Sequence, residues 1–364
     1  MADTEKTLSE QRKKSIAIFV ATHVAFQPPA NPIYVPLHVG KEGKPDLGYI
    51  GDNIGENISD LNFLYGELTG LYWIWQNISG IDYVGLCHYR RYFLNNAGYE
   101  MDSGDYLKLL EEYDVIVPQH LKCMSSYKIH YGEAHNVHDL EAVERAVAKL
   151  YPDYLESFQR VMAGNIFYSG NLCVMSLSLL KAYAEWLFTI FAEASAEIDV
   201  SGYDAYHRRV YGFLSEQMLY VFVLKNGLSY IELPVGILGE KAETVILKKE
   251  LADLIANGRL DEAQILFEGR MKERPDVLLP GSDVSGELRL TYQILHLCLL
   301  ERRMGKASLL NYSKDLEKLI PHYRRILEIV AKRKKGIMAN EDQSYLKETG
   351  VSEEVLLEVA RCMK

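Results

Sequence analysis

The sequence predicts an α/β domain with a largely parallel sheet over residues 15–240, followed by an all-α extension over residues 241–364. Residues 1–14 are expected to be frayed or disordered. Three observations carry this reading. Short apolar runs alternate with amphipathic helical stretches in the first part, as in strands joined by helices. Strand patterns then vanish beyond residue 240, while helical spacing continues. Finally, 364 residues exceed the ~100–200 of a typical domain.

The first run, Ser15 to Thr22, reads as a buried strand that stops at His23. Residues 24–32 hold three prolines and read as loop. Residues 33–39 form a second strand that Pro36 demotes. Residues 40–57, rich in Gly, Asp and Asn, form a long loop of the kind that often binds ligands. Ser59 has the chemistry of a helix N-cap, and Leu61, Leu64, Leu68, Leu71, Tyr72 and Trp75 follow at helical spacing. Asp82 to His88 is a strand that runs into Tyr89-Arg90-Arg91-Tyr92-Phe93. A second helix and strand end at Pro118, and residues 119–137 are a polar loop. Helices are expected at 139–150, 177–191 and 213–224, and strands at 165–175 and 229–233. The tail, with its turn at 257–263 and helical run 290–304, resembles tetratricopeptide units in texture. It shows no clean period, so a plain helical bundle is expected.

Composition excludes some functions. A net charge of −10 argues against non-specific nucleic-acid binding, which needs a basic face. The five cysteines form no CxxC pair and make a poor disulfide framework, which favours a reduced, cytoplasmic setting. Met1 to Lys14 is polar, so no signal peptide is expected. No apolar run approaches the ~20 residues that span a bilayer. Tyrosine is frequent, 25 against 11 Phe and 3 Trp. That suits sugar and base recognition, and is equally compatible with a merely tyrosine-rich chain.

Ligands of open α/β sheets bind at the carboxyl ends of the strands. Three predicted ends carry polar clusters: Thr22-His23, His88-Tyr89-Arg90-Arg91, and the loop after Pro118. Two arginines after a buried strand sit where a phosphate would bind, since guanidinium offers a planar donor fork. The residues from Asp52 through Asn57 to Ser59 lead into a helix N-terminus, a setting for an anion or simply a turn and a cap. Glu216, near the start of a helix, fits a general base for a hydroxyl or a capping residue equally well. No Asp-x-Asp exists to hold a divalent ion, and His88 and Arg90 occupy the place expected for it. Their charge would offset a diphosphate without metal. His120, His130, His135 and His138 match no zinc spacing. Walker, Gly-x-Gly-x-x-Gly and Gly-x-Ser-x-Gly motifs are absent.

Several strings together resemble a known bacterial family. They are Asn57-Ile58-Ser59, Glu67 to Trp73, Gly85 to Phe93, Tyr131-Gly132, His135, Asn171, Tyr183 to Phe188, Tyr211-Gly212-Phe213 and Glu216. The family is domain of unknown function 4422, whose members occur in capsule and exopolysaccharide biosynthesis. The resemblance covers about residues 15–240, and Leu86 to Phe93 is its most specific part. It implies a GT-A-like nucleotide-diphospho-sugar transferase fold, and transfer of a sugar from a UDP-sugar, UDP-galactofuranose being one candidate, to an oligosaccharide or lipid-linked glycan. Under that reading Thr22, His23, Asp52, Asn57, Ser59, Arg90 and Arg91 bind the donor. His88 and Arg90 stabilise the leaving diphosphate and Glu216 acts on the acceptor. Glu67, Tyr131, His135 and Asn171 touch the acceptor or support these groups. Inversion without a required metal is expected; manganese remains compatible, and retention stays open. The other class weighed is a non-catalytic glycan-binding or scaffold protein. The family pattern is silent on the tail. There, residues 322–335 gather Arg324, Arg325, Lys332, Arg333, Lys334 and Lys335, a pattern that fits a solvated helix end, a protein contact, or peripheral attachment to the inner face of a membrane.

Overall fold

The computed structural model describes residues 14–274, 277 and 283–362. The expected frayed N-terminus, Lys14 apart, lies outside them. The chain divides into two compact units between Leu238 and Gly239.

The first unit is built on strands β1 (Ile16–Thr22), β2 (Tyr34–His38), β3 (Ile50–Gly51), β4 (Tyr83–His88), β5 (Arg91–Phe93), β6 (Val115–Pro118), β7 (Leu121–Lys122), β8 (Ile166–Phe167), β9 (Cys173–Ser176), β10 (Tyr230–Leu233) and β11 (Val235–Ile237). The main sheet has the order β10-β6-β9-β4-β1-β2-β3, with β5 and β11 added at one end of β4; β7 and β8 pair separately. β1 runs parallel to β2 and β4, β2 to β3, and β6 to β10. β9 runs antiparallel to both β4 and β6. The sheet is covered on both faces. Phe19, Ala21, Leu86 and Val117 join one core with the helices Val137–Leu150 and Leu177–Ala194, while Ile18, Val20, Cys87 and Val174 join another with Tyr92, Phe93 and Tyr106. Burial on both faces is why β1 is an unbroken apolar run rather than an alternating one. Pro36 fits inside β2 because β3 pairs only with Leu37 and His38, leaving the proline an open edge.

Three expected elements are broken where chain direction changes, and one expected loop is partly ordered. The helix expected after Ser59 is a 3-10 turn (Ser59–Leu61), a short helix (Asn62–Tyr65) and a longer one (Leu68–Asn77). Gly66, at φ +55°, makes the break, a conformation that favours glycine. Ser59 does not cap the helix; its hydroxyl donates to Asp52. The strand expected at 165–175 splits into β8 and β9 around Gly170 and Asn171, both at positive φ. The helix expected at 213–224 is Val210–Leu214, a 3-10 turn Ser215–Gln217, and Met218–Lys225. The polar loop 119–137 contains β7 and a helix, Tyr127–Ala134, whose N-cap is Ser126.

Seven α-helices make up the second unit among its described residues: Ala242–Ala256, Leu260–Glu273, Glu287–Arg303, Ser308–Tyr312, Leu316–Lys334, Asn340–Thr349 and Glu353–Cys362. Leu251, Ile255, Phe267, Leu288, Ile294, Leu319, Ile326 and Val355 form its own core. Half of its basic stretch is neutralised internally. Arg325 and Lys332 pair with the buried Asp342 (2.6 and 3.1 Å), Arg333 pairs with Glu353 (2.9 Å), and Lys334 donates to the Ala360 carbonyl. Among the described residues no helix is long and apolar enough to cross a membrane.

Gly85 in β4 is a sensitive point of the first core. A β-carbon there would lie 2.7 Å from Ile18 Cδ1 and 2.8 Å from Val174 Cγ2. Gly85→Ala is expected to destabilise the first unit by about 1–3 kcal/mol through overpacking. Urea unfolding followed by tryptophan fluorescence checks this, because all three tryptophans, Trp73, Trp75 and Trp186, lie in that unit.

Candidate functional site

The parallel strands bring Thr22, His38, His88, Pro118 and Leu233 to one edge of the sheet. β9 runs the other way, so its first residue, Cys173, and the preceding Gly170-Asn171 arrive at the same edge. Candidate residues from distant parts of the chain therefore meet where ligands of α/β sheets bind.

Asn171 ties the centre together. Its Nδ2 donates to Glu67 Oε1 (2.7 Å) and to the Gly212 carbonyl (3.0 Å), and its Oδ1 accepts from the Ser215 hydroxyl (2.8 Å). Asn171 holds φ +54°, the left-handed region that an Asn tolerates better than most residues. The break at Gly66 turns Glu67 into this network. Next to it, the Gly170 amide donates to Glu216 Oε1 (2.9 Å). A β-carbon on Gly170 would stand 2.3 Å from Arg91 Nη1, so the guanidinium packs directly on this glycine.

His88 Nε2 lies 3.8 Å from Glu67 Oε1. Burial pushes the imidazole down to about 4; Glu67 opposes that shift, and the charges of Arg91 and Arg90 add to it. At neutral pH His88 is therefore uncharged, and the positive charge at the end of β4 comes from the arginines. The Arg91 guanidinium has no hydrogen-bond or ion-pair partner among the described residues. Arg90 is almost fully buried, with its guanidinium 5.9 Å from the Tyr89 ring centre.

The residues expected to bind the donor fall into two groups. His23 is exposed and stands edge-on to Tyr89 (5.6 Å), which also meets Phe26 (5.9 Å), giving an aromatic patch beyond β1. Thr22 is buried, and its hydroxyl donates to the Val24 carbonyl (2.7 Å). Asp52 is fully buried and accepts from the amides of Gly40 (2.8 Å) and Lys41 (3.0 Å) and from the Ser59 hydroxyl (2.5 Å). Asn57 forms a local turn with the Ser59 amide (3.2 Å). Asp52 and Ser59 thus fasten the 40–52 loop from within.

Tyr131 is buried beside Tyr127. Burial, with Glu216 among the nearby charges, holds both phenols well above their ordinary range. His135 stacks on Phe213 (4.2 Å), three residues before Glu216. The other histidines scatter: His120 pairs with Glu232, His130 with Glu133 and His138 with Glu141. Among the described residues no three His, Cys, Asp or Glu side chains gather as metal ligands. Sequence reasoning gave no site role to Gly170, Gly212, Ser215, Tyr168 and Glu232. Of these, only Gly170, inside an expected strand, carried a signal, that of a chain break.

A family model described as "Domain of unknown function (DUF4422)" matches residues 17–227. The solved apo structure of the WbbM bifunctional glycosyltransferase is similar, with a TM-score of 0.57 and 28% identity over 62% of this chain. The match takes in 46% of that chain, so this protein spans less than half of it. No curated protein matches. This likeness and the sheet described above make the fold of the first unit GT-A-like, with an all-α unit after it.

The low His88 value fixes the sign of a pH effect. An unfolded histidine takes up a proton near 6.5, while folded His88 resists until about 4. Its contribution to stability is whole above ~6.5 and is lost as pH falls toward 4. From pH 7 to 5 the wild-type protein should lose about 1–2 kcal/mol more than His88→Gln. Urea unfolding at the two pH values measures the difference; equal losses would refute a neutral, half-buried His88.

Proposed function

The chain belongs to the DUF4422 family, and on that membership and the charge of the cleft we propose that it is a glycosyltransferase using a nucleotide-diphosphate sugar. The observation that carries the reading is Arg91. A partly buried guanidinium, packed on Gly170 at the carboxyl edge of a GT-A-like sheet and lacking a carboxylate partner among the described residues, asks for an anion. A diphosphate supplies one. Arg90 stands beside it, and neutral His88 would donate a hydrogen bond rather than a charge.

In the proposed reaction an acceptor hydroxyl gives its proton to Glu216. The oxygen forms a bond to the anomeric carbon of the donor as the bond from that carbon to the diphosphate oxygen breaks. The electron pair leaves on the diphosphate, where Arg90 and Arg91 stabilise it. The Gly170 amide on Glu216 Oε1 supports the role of Glu216 by fixing its carboxylate at the glycine on which Arg91 packs. The aromatic patch of His23 and Tyr89 suits a base, and a UDP-sugar, UDP-galactofuranose among them, is the proposed donor. Capsular, exo- or O-polysaccharide assembly is the proposed setting, with inversion and no required metal. The match to the WbbM bifunctional glycosyltransferase supports the reaction class.

Calorimetric titration of UDP in EDTA, repeated with manganese, tests this. Binding in EDTA is expected, weakened about ten-fold or more in Arg91→Ala through loss of a charge-assisted contact. Binding that needs manganese would overturn metal independence. Absence of binding by folded protein in both conditions would overturn the UDP reading and favour a non-catalytic glycan-binding protein.

A further inference from the structure

The segment that follows β6 gathers exposed apolar side chains. Leu121 and Ile129 are more than half exposed, and Met124 is wholly so. A single exposed apolar residue is ordinary, but three within residues 121–129 call for a reason.

The backbone holds these side chains out. Leu121 and Lys122 of β7 pair with Phe167 and Ile166 of β8. Beyond that ladder the Cys123 amide donates to the Asn165 carbonyl and the Tyr127 amide to the Gly164 carbonyl, each at 2.7 Å. The side chains of Cys123 and Tyr127 are buried and root the segment. Between these two anchors residues 124–126 make a short turn that projects Met124. Ser126 then caps the helix Tyr127–Ala134 by accepting from the Ile129 amide (3.4 Å).

The charge around the turn has one sign. Residues 119–132 and 160–167, joined by the ladder, contain Lys122, Lys128 and Arg160 and no Asp or Glu, in a chain of net charge −10. Lys122 and Arg160 are exposed and form no ion pair among the described residues. Lys128 reaches Glu141 (2.9 Å), and Glu133, the next acid along the chain, meets His130 (3.5 Å).

We propose that residues 121–129, with Arg160, are a docking surface for an anionic lipid bilayer. Leu121, Met124 and Ile129 enter the boundary between headgroups and acyl chains, while Lys122 and Arg160 meet lipid phosphates. Apolar side chains flanked by cations and free of carboxylates suit that interface. A protein partner would need a pocket shaped for the projecting turn, whereas a bilayer needs none. The basic stretch 322–335 is the weaker anchor, since Arg325, Lys332 and Arg333 are paired with carboxylates. β7 begins three residues after Pro118 and β8 ends three before Gly170, so the surface adjoins the candidate cleft. Resting on the glycosyltransferase reading, a lipid-carried acceptor would be met beside that cleft.

Flotation of the full chain with vesicles tests the proposal, using phosphatidylcholine alone or in equal parts with phosphatidylglycerol. Binding to the anionic vesicles should be about ten-fold or more tighter, and should weaken as salt is raised. Met124→Glu should weaken it about ten-fold or more, and Lys122→Glu about five-fold. Met124→Leu, which keeps an apolar tip, should bind like wild type, as should the tail variant Lys334→Glu with Lys335→Glu. UDP affinity should stay within about two-fold in all of them, which separates lost docking from misfolding. Equal binding to both vesicles, wild-type binding by Met124→Glu, or loss confined to the tail variant would overturn the proposal. So would self-association in light scattering that Met124→Glu abolishes, because the occupant would then be a second copy of the chain. Anionic-vesicle binding by a protein that ignores UDP would sink the nucleotide-sugar reading and leave the lipid surface standing.

Discussion

The candidate site depends on one side-chain amide. Asn171 reaches Glu67 from the segment before Leu68–Asn77, and Gly212 and Ser215 from the broken helix that carries Glu216. These segments are over forty residues apart in sequence, and each is turned toward Asn171 by an irregularity: the left-handed Gly66, the left-handed pair at 170–171, and the 3-10 turn at Ser215. Each irregularity costs ladder or helix hydrogen bonds, and the amide recovers one of them, at the Gly212 carbonyl. Strain kept at a place where three segments converge is a mark of function rather than of poor packing.

Around that anchor the electrostatics are divided. Burial leaves His88 uncharged, so it does not repel the arginines that flank it. Glu67 is held by Asn171 and Glu216 by the Gly170 amide, which leaves Arg91 without a carboxylate among the described residues. An arginine in such a place is poised for an external anion, and an internal salt bridge would have cancelled that attraction. The pocket that Asn171 and Glu216 help to line has no lysine or arginine among its lining residues.

Much of this was legible in the sequence. The apolar runs at 15–22 and 82–88 gave β1 and β4, and with them the sheet edge that collects His23 and the His88–Arg91 cluster. The loss of strand pattern beyond residue 240 matched the helical second unit. Three features were hidden. Ser59 has the chemistry of an N-cap, but a buried carboxylate, Asp52, competes for its hydroxyl, and no local pattern shows that partner. The run at 165–175 reads as one strand because apolar residues flank Gly170-Asn171 on both sides. Glu232 and Tyr168 are unremarkable in sequence; only the side-by-side pairing of β6 and β10 brings the glutamate to His120. The basic stretch 322–335 looked available for partners, yet three of its six cations, Arg325, Lys332 and Arg333, pair with carboxylates close in space.

The direction of β9 has one more consequence. A parallel strand in its place between β4 and β6 would have to be reached by a crossover of a dozen or more residues, and the residue before it would ride on a long connection. Because β9 is antiparallel, the chain passes from β8 to β9 through only Tyr168–Leu172. A five-residue link has few conformations to lose. Asn171 is therefore placed with the stiffness of the sheet itself, at little entropic cost. The anchor of the site can be fixed before any ligand arrives, without a lid to close over it.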